Sequence, residues 1–326
     1  MNRTIAIDHG NRLMKTVEHV FSASYMESNH LLTIGGNDVL KHEGKVYILD
    51  DQSLPVLNDK TVDDRYFILT LFAVGKELVK DAEMVRKLTP NDHINVELLI
   101  GLPLQHFETF RRKFESYFSD RKSVIKFELN NKQYAIKITK ATAYPQAFSA
   151  AITAYDTLKD SNVVNIVDIG GFTVDCLQLT KFKLTNMALC TSLYWGVNTL
   201  FESINDTMRG DGGHNISNYV IEEILKKDPT ALLEYSQKRI DRVTSAAIAH
   251  SRRMLAEIAQ KGFDLTEDKT VFMGGGAILL KDYILEIGKV QKPIFIDDVH
   301  ANAKGYELLH DMQSGNGGKT KQPNGA

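Results

Sequence analysis

Two short glycine turns in this chain have the residue types and spacing that phosphate binding requires. Residues 5–12 read IAIDHGNR and residues 166–173 read IVDIGGFT. In each, an apolar run typical of a β-strand ends near an aspartate, Asp8 or Asp168, and glycine then allows a tight turn whose backbone N–H groups can face one point. Because each turn is followed by a second apolar strand, the pair indicates two loops that clamp one polyphosphate.

The paired carboxylates predict a metal ion. Carboxylates repel phosphate unless a cation lies between them, and hydrated Mg²⁺ keeps several waters while taking few protein ligands. We therefore expect Asp8 and Asp168 to hold Mg²⁺ through water; the alternative is that each aspartate only caps its turn. Lys15, on the strand that returns after Gly10, is placed to contact the β- or γ-phosphate as a point charge. The alternative is that Lys15 is an exposed lysine of the strand with no role in phosphate binding.

A third glycine run and one glutamine complete the candidate site. Gly274-Gly275-Gly276 follows a predicted buried strand, and the lack of side chains would let a purine ring or sugar pack against the backbone. Gln146, after Pro145, is the candidate for orienting an attacking water. Its amide both donates and accepts but is not a strong base, so we expect slow turnover. The alternative is a glutamine that merely begins a helix.

The candidate residues fall into overlapping groups. Gln146, Asp168 and Asp8 are the candidate catalytic residues, and the two aspartates are also the candidate metal ligands. The candidate nucleotide-binding residues are Gly10, Asn11, Arg12, Leu13, Lys15, Gly170, Gly171, Phe172, Thr173, Gly274, Gly275 and Gly276.

Hydrophobic periodicity predicts the elements that position these residues. Strands are predicted over 96–100 and 270–273, and hairpins over 39–49 and 124–138. The predicted helices are 63–79, 145–160, 218–227, 240–260 and 301–312. Phe107, Phe110, Phe114 and Tyr117 recur at helical spacing, which favours a helix that faces the core over a groove for a partner. Residues 313–326 contain no apolar residue except the last alanine, which predicts disorder.

Composition narrows the class of protein. With 326 residues, 43% of them hydrophobic, the chain can bury one large core or two medium ones, and the repeated turn favours two. A net charge of −2 gives no broad attraction to nucleic acid or to an anionic membrane, so we expect no direct specific DNA binding and no membrane partner. Two cysteines fit a reducing compartment, and the cytoplasm is the expected location. Neither the cysteines nor the histidines show zinc-ligand spacing.

The three glycine turns resemble the nucleotide motifs of the superfamily that contains actin, sugar kinases and heat-shock chaperone ATPases. Residues 8–15 resemble the first phosphate motif, with the lysine at the spacing of actin, and residues 168–175 resemble the second. Residues 273–277 resemble the adenosine motif, and residues 145–147 and 302–305 resemble the two connecting helices. Arg12 and Gln146 depart from the family pattern, since actin has glycine at the first position and relatives often have glutamate at the second.

Within that superfamily the chain resembles the bacterial actin-like ParM/StbA plasmid-segregation group, through residues 64–69, 100–103 and 168–175. The resemblance implies an α/β fold of duplicated actin-like (ribonuclease H-like) domains, each with a mixed sheet flanked by helices, and a nucleotide in the cleft between them. Domain I is expected at 1–145, with a small insertion at about 25–92 and a closing helix at 303–312. Domain II is expected at 146–302 and a disordered tail at 313–326.

The same resemblance implies a slow ATPase or GTPase coupled to polymerisation. Such a protein binds ATP or GTP with Mg²⁺, forms filaments with copies of itself and destabilises them by hydrolysis. The filaments separate plasmid copies through a small DNA-binding adaptor of the ParR type. The alternatives are a small-molecule kinase of the same superfamily, another bacterial actin-like cytoskeletal protein, and a scaffold that binds nucleotide without hydrolysing it. The missing zinc-binding cysteine cluster argues against a small sugar kinase.

Overall fold

A computed structural model describes residues 1–28, 38–50, 57, 59–81, 92–184, 187–210 and 213–314. The chain divides into two compact units. Unit 1 comprises Met1–Thr153 and the segment that begins at His300, and unit 2 comprises Ala154–Val299. The domain limits expected from the sequence stay predictions. Parts of the expected insertion at about 25–92, and the expected tail from residue 315 onward, lie outside the described residues.

Unit 1 contains a mixed nine-stranded sheet in its described part. Its order is β3-β2-β1-β7-β9-β8-β5-β6-β4. β7 pairs in parallel with β1 and β9, and every other neighbouring pair is antiparallel. The strands are β1 Asn2–His9, β2 Leu13–Lys15, β3 Val20–Ser22, β4 Tyr25–Ser28, β5 Val39–His42, β6 Lys45–Leu49, β7 Ile94–Leu102, β8 Ile125–Leu129 and β9 Lys132–Pro145.

The helices of unit 1 bury their apolar sides against this sheet. They are α1 Arg65–Leu78, α2 Leu104–Ser119, α3 Phe148–Ile152 and α10 Ala301–Gln313, with a short 3₁₀-helix at Val79–Asp81. Phe114 and Phe118 of α2 are fully buried, and Phe107, Phe110 and Tyr117 pack against the same core. The predicted core-facing aromatic stripe is therefore confirmed.

Unit 2 contains a smaller mixed sheet of order β12-β11-β10-β14-β15, with β13 paired to β11. Its strands are β10 Val163–Ile169, β11 Val174–Thr180, β12 Lys183–Leu184, β13 Thr191–Leu193, β14 Lys269–Met273 and β15 Pro293–Phe295. Its helices are α4 Tyr155–Leu158, α5 Val197–Gly210, α6 Asn218–Lys226, α7 Pro229–Leu232, α8 Gln237–Gln260 and α9 Gly275–Ile287, with a 3₁₀-helix at Met187–Leu189. Ser217 and Ser236 cap α6 and α8 through their side chains.

Both units contain the same arrangement at the predicted turns. In unit 1 the antiparallel β1–β2 hairpin has β7 in parallel on its other side, and in unit 2 the β10–β11 hairpin has β14 in the same place. Two α/β units with mixed sheets and flanking helices confirm the predicted fold class. Within the described residues, the helices are too short or too polar to span a bilayer.

The prediction of one helix over 145–160 is wrong. β9 extends to Pro145, which pairs with Leu102 of β7, and the N–H of Gln146 donates to the Leu102 carbonyl at 2.8 Å. Ala147 then has a φ of 61°, far outside the range of a right-handed α-helix, so α3 begins only at Phe148. Pro145 therefore ends a strand instead of starting a helix, and a second short helix, α4, follows α3.

Two predicted hairpins and the predicted start of the tail can also be compared with the structure. The hairpins predicted at 39–49 and 124–138 are confirmed, and Asn130 and Asn131 turn the second one with φ values of 51° and 65°. Gln313, predicted as the first residue of the tail, is the last residue of α10.

Candidate functional site

The first glycine turn brings a carboxylate and an ammonium group together. Asp8 near the end of β1 lies opposite Lys15 of β2, and Lys15 Nζ is 3.2 Å from Asp8 Oδ2. The N–H of Gly10 donates to the Asp8 carbonyl at 3.0 Å. A Cβ at Gly10 would lie 2.4 Å from the Leu13 carbonyl oxygen, so the close approach of the backbone at this turn requires glycine. The spacing of residues 8–15 thus has a direct structural reason.

Gln146 contacts the same carboxylate. Its Nε2 donates to Asp8 Oδ1 at 2.5 Å, and the Tyr306 hydroxyl lies 3.4 Å from the same oxygen. Asn302 of α10 accepts the N–H of Ala147 at 3.0 Å and so helps to place Gln146. The predicted water-orienting residue therefore lies beside one of the predicted metal-site aspartates.

Lys60 is a site residue that sequence reasoning missed. Its side chain is buried, its ammonium donates to the His9 carbonyl, and it lies 5.3 Å from the centre of the Tyr66 ring. The Tyr66 hydroxyl in turn donates to Asn11 Oδ1 at 2.7 Å. A single lysine in the polar segment 59–64 carries no sequence signal of burial, because the contacts that bury it come from β1 and α1.

The charges around Asp8 favour a polyanion. Burial raises the pKa of Asp8, but the charges of Lys15 and Lys60 and the hydrogen bond from Gln146 outweigh burial, so this pKa lies below its ordinary value. Burial, together with the charge of Lys60, lowers the pKa of His9 to about 3. With His9 neutral and Asp8 ionised, the group formed by Asp8, Lys15, Lys60 and His9 carries a net positive charge.

The neutral His9 ring is fixed by two hydrogen-bonding partners. Its Nδ1 lies 3.1 Å from the Ile7 carbonyl, and its Nε2 lies 2.9 Å from Thr70 Oγ1. The Ile7 carbonyl only accepts, so Nδ1 donates to it, while the Thr70 hydroxyl lies between Nε2 and the Tyr66 carbonyl, to which it donates at 2.7 Å. His9 is therefore a structural residue of the turn and does not supply a charge.

The second glycine turn, residues 170–173, is held by the start of α5. Three of its carbonyls accept backbone N–H groups: Gly170 from Val197 at 3.0 Å, Gly171 from Asn198 at 2.7 Å and Phe172 from Gly196 at 3.2 Å. The C=O and N–H of a trans peptide point in opposite directions. The N–H groups of residues 171, 172 and 173 therefore face away from α5, and consecutive amides that face one way form a concave site for an anion.

Asp168 lies near the end of β10, directly before this turn. It is partly buried, opposite Asp175 of β11 and beside Met273 of β14. Asp175 accepts hydrogen bonds from Ser192 Oγ at 2.5 Å and from Thr173 Oγ1 at 3.5 Å. The Thr173 hydroxyl thus points along the hairpin, and the backbone N–H of Thr173 is the group that faces the concave site.

The three glycines at 274–276 have different surroundings. A Cβ at Gly274, where φ is 85°, would lie 2.3 Å from Asp168 Oδ1, and one at Gly276 would lie 2.4 Å from Ile169 Cγ2. These two glycines let the β14–α9 turn pack closely on the end of β10. A Cβ at Gly275 would have no atom within 4 Å, so Gly275 is the position of this run that borders open space.

The donor set around Asp8 fits a metal held through water. Lys15 occupies one carboxylate oxygen, while Gln146 and Tyr306 approach the other. An ion there would meet Asp8 through its own waters, as expected for Mg²⁺. Among the residues that the structure describes, no group of three or more His, Cys, Asp or Glu side chains is placed to bind a metal directly.

The predicted site residues thus form one group in each unit. Unit 1 brings together Asp8, Gly10, Asn11, Leu13, Lys15 and Gln146, and unit 2 brings together Asp168, Gly170, Gly171, Phe172, Thr173, Gly274, Gly275 and Gly276. Arg12 belongs to the first turn through its backbone, since its carbonyl accepts the N–H of Ala23 at 3.0 Å.

Comparison with solved structures shows what the whole chain is similar to. An archaeal actin homologue, Ta0583, in complex with ADP has a TM-score of 0.71 at 16% identity, over 95% of this chain and 99% of that one. Actin-like protein Alp7A has a TM-score of 0.72 at 14% identity, over 97% and 98%. A 15-stranded ParM filament from Clostridium botulinum has a TM-score of 0.68 at 17% identity, over 96% and 100%. At these identities the likeness concerns the fold. No curated protein matches the chain.

Family models match both halves of the sequence. The model described as the N-terminal domain of actin-like proteins matches residues 6–148, and the model described as the C-terminal domain of the archaeal MreB-like actin homologue matches residues 166–286. The two matches include both glycine turns, Gln146 and the glycine run at 274–276. The chain therefore belongs to the actin-like superfamily, and its fold is similar to that of ParM proteins.

Proposed function

We propose that this protein binds ATP or GTP with Mg²⁺, assembles with copies of itself into filaments and hydrolyses the nucleotide slowly. The observation that carries the proposal is the orientation of the 170–173 turn, whose carbonyls accept N–H groups from residues 196–198, so that the N–H groups of residues 171–173 face the other way, as anion binding requires. The positively charged group around Asp8 supports it. So do the ADP in the complex of Ta0583 and the filament formed by the ParM of Clostridium botulinum.

In the proposed complex, different site residues act on the phosphates, the nucleoside, the metal and the attacking water. The N–H groups of residues 11–13 and 171–173, with Lys15, bind phosphate oxygens, and Gly275 borders the nucleoside. Asp8 and Asp168 hold the waters of Mg²⁺, which when bound neutralises phosphate charge. Gln146 orients the attacking water; its Nε2 is occupied by Asp8, so its carbonyl oxygen remains to accept a hydrogen bond from that water.

We also propose that the filaments act in plasmid segregation through a DNA-binding adaptor of the ParR type, in the cytoplasm and without direct specific DNA binding by this chain. The support is the resemblance of residues 64–69, 100–103 and 168–175 to the ParM/StbA group. The structural similarity to a ParM filament agrees with it.

Assembly and phosphate release test the proposal directly. Purified protein is mixed with ATP or GTP and Mg²⁺, and light scattering and phosphate release are followed together. Scattering should rise after nucleotide addition and decay as phosphate appears, and Asp168→Ala should abolish nucleotide binding or hydrolysis. A flat scattering trace with both nucleotides, at roughly tens of micromolar protein, would contradict the filament proposal.

One substitution tests the nucleoside position without disturbing the fold. Gly275→Ala adds a methyl group where no protein atom lies within 4 Å. If the nucleoside packs there, the affinity of the variant for nucleotide should fall about tenfold, while its thermal stability stays unchanged. Gly210→Ala, another helical glycine with open space around it, is the matched control and should leave affinity unchanged. Wild-type affinity in Gly275→Ala would place the nucleoside elsewhere.

A further inference from the structure

The turn at 170–173 and the residue before α5 are in backbone contact. A Cβ at Gly196 would lie 2.4 Å from the Phe172 carbonyl carbon and 2.6 Å from its nitrogen, so only glycine permits this approach. The N–H of Gly196 also donates to the Phe172 carbonyl. Any displacement of the chain at residues 195–198 must therefore displace the turn, and the reverse also holds.

The residue immediately before this contact, Trp195, is held by the long helix α8. His250 Nε2 lies 3.1 Å from the Trp195 carbonyl, and the indole N–H of Trp195 donates to Glu257 Oε2. The His250 and indole rings meet edge to face with centroids 5.1 Å apart. His250 and Glu257 lie about two turns apart on one side of α8, so the helix holds Trp195 at two points.

The His250 contact has little freedom to rearrange. His250 is 2% exposed, and burial lowers its pKa. The Trp195 carbonyl only accepts, so Nε2 carries the single proton of the neutral ring, and Nδ1 has no partner among the residues that the structure describes. Loss of the bond to Trp195 would leave a second buried polar atom of His250 unsatisfied, which is costly.

We propose that Trp195 is a positioning residue that couples the phosphate-binding turn at 170–173 to helix α8. The proposal rests on nucleotide binding by that turn. Phosphate bound to the N–H groups of residues 171–173 shifts the turn, and Gly196 passes the shift to Trp195. By thermodynamic reciprocity, a change in the contacts of α8 with Trp195 changes the affinity of the turn for nucleotide.

Tryptophan fluorescence reports on Trp195 alone, because Trp195 is the one tryptophan of the chain. ATP and GTP, each with Mg²⁺, are titrated into the full chain while tryptophan emission and binding heat are measured. Emission should change and saturate at the nucleotide concentration at which the heat saturates. Binding heat without a change in emission overturns the coupling. Absence of binding heat with both nucleotides instead contradicts the proposed function.

Substitutions at Glu257 separate positioning from general stability. Glu257→Ala removes the acceptor of the indole N–H and should weaken nucleotide binding about tenfold and change the amplitude of the emission response. Glu257→Gln keeps an acceptor oxygen and should restore both. Gln260→Ala, an exposed side chain near the end of the same helix, is the control and should bind as the wild type does.

Two results would overturn the positioning role of Trp195. One is a folded Glu257→Ala variant with wild-type affinity and an unchanged emission response. The other is a Glu257→Gln variant that melts like the wild type but binds nucleotide as weakly as Glu257→Ala. If Glu257→Ala does not fold, the comparison of Glu257→Gln with Gln260→Ala and the wild-type titration still decide the question.

Discussion

At the scale of single residues, the buried ammonium of Lys60 acts together with Lys15 to keep Asp8 ionised. Burial alone would raise the pKa of Asp8, and the charges of Lys15 and Lys60 reverse that effect. Lys60→Met keeps the length of the side chain and removes its charge, so we expect the pKa of Asp8 to rise. Carbon-13 NMR of the aspartate carboxyl groups, recorded during a pH titration, measures this change.

A lysine distant from Asp8 provides the control for Lys60→Met. Lys80 is exposed and pairs with Glu18 and Glu77, so Lys80→Met should leave the pKa of Asp8 unchanged. Because the lowered pKa stabilises the fold at pH values above the ordinary pKa of aspartate, Lys60→Met should also reduce stability at neutral pH. An unchanged pKa of Asp8 in Lys60→Met would contradict the assignment.

The buried neutral His9 predicts a dependence of stability on pH. Its pKa is about 3 in the folded protein, against about 6.5 in an unfolded chain. Between these values the unfolded state binds the additional proton, so the free energy of unfolding falls as the pH falls, by about 1.4 kcal/mol per pH unit for this one group. His250, whose pKa burial also lowers, acts in the same direction.

Urea unfolding at about pH 7 and about pH 5 measures the effect of His9. His9→Gln should lower stability at both pH values and make the difference between them smaller. His214→Gln changes an exposed histidine and should keep the wild-type difference. The assignment is wrong if His9→Gln retains the full pH dependence.

At the scale of elements, the docking of α10 on α3 depends on one glycine. A Cβ at Gly305 would lie 1.9 Å from the Ser149 carbonyl oxygen, so the two helices meet backbone to backbone. We expect Gly305→Ala to lower the free energy of unfolding by about 1–3 kcal/mol, despite the better helix propensity of alanine. Thermal unfolding measures this cost.

Nucleotide affinity gives a second readout for Gly305→Ala. α10 supplies Asn302 and Tyr306 to the site, so displacing it should weaken binding as well as stability. Gly210→Ala at the last residue of α5 meets no atom within 4 Å and should leave stability unchanged or slightly raised. Equal stability of the two variants would show that α10 can shift without cost.

Elements determined by neighbouring residues could be predicted from the sequence. The aromatic spacing of α2 and the paired asparagines at 130–131 act locally, and both predictions are confirmed. The helix predicted over 145–160 fails because distant groups compete for its backbone. Leu102 pairs with Pro145, and Asn302 accepts the N–H of Ala147, so the local helix preference of the alanines does not decide the conformation there.

The residues of the candidate site also differ in whether the sequence could predict them. Turn residues such as Gly10 and Gly170 could be predicted because their spacing along the chain reflects the turn itself. Lys60, Tyr306 and Trp195 could not, since their partners lie tens to hundreds of positions away in the sequence. Only the tertiary fold reveals that Lys60 is buried beside Asp8 and that Trp195 joins α5 to α8.

At the scale of the whole molecule, the repeated hairpin gives each unit an aspartate near the end of a strand beside a glycine turn. Asp8 lies opposite Lys15, whereas Asp168 lies opposite Asp175. The two turns are therefore not equivalent. The first supplies positive side chains, and the second supplies backbone N–H groups held by α5. Both sets of donors suit a polyphosphate. Gln146, the candidate for orienting the attacking water, lies beside Asp8 in the first unit.

Assembly and hydrolysis should separate in a Gln146 variant. Gln146→Ala leaves the turns and Lys15 intact, so nucleotide binding and assembly should persist. Loss of the water-orienting amide should slow phosphate release at least about tenfold, and filaments should consequently last longer in the light-scattering assay. Gln133→Ala, an exposed glutamine of β9, should behave as the wild type. Wild-type phosphate release by Gln146→Ala would mean that another residue orients the water.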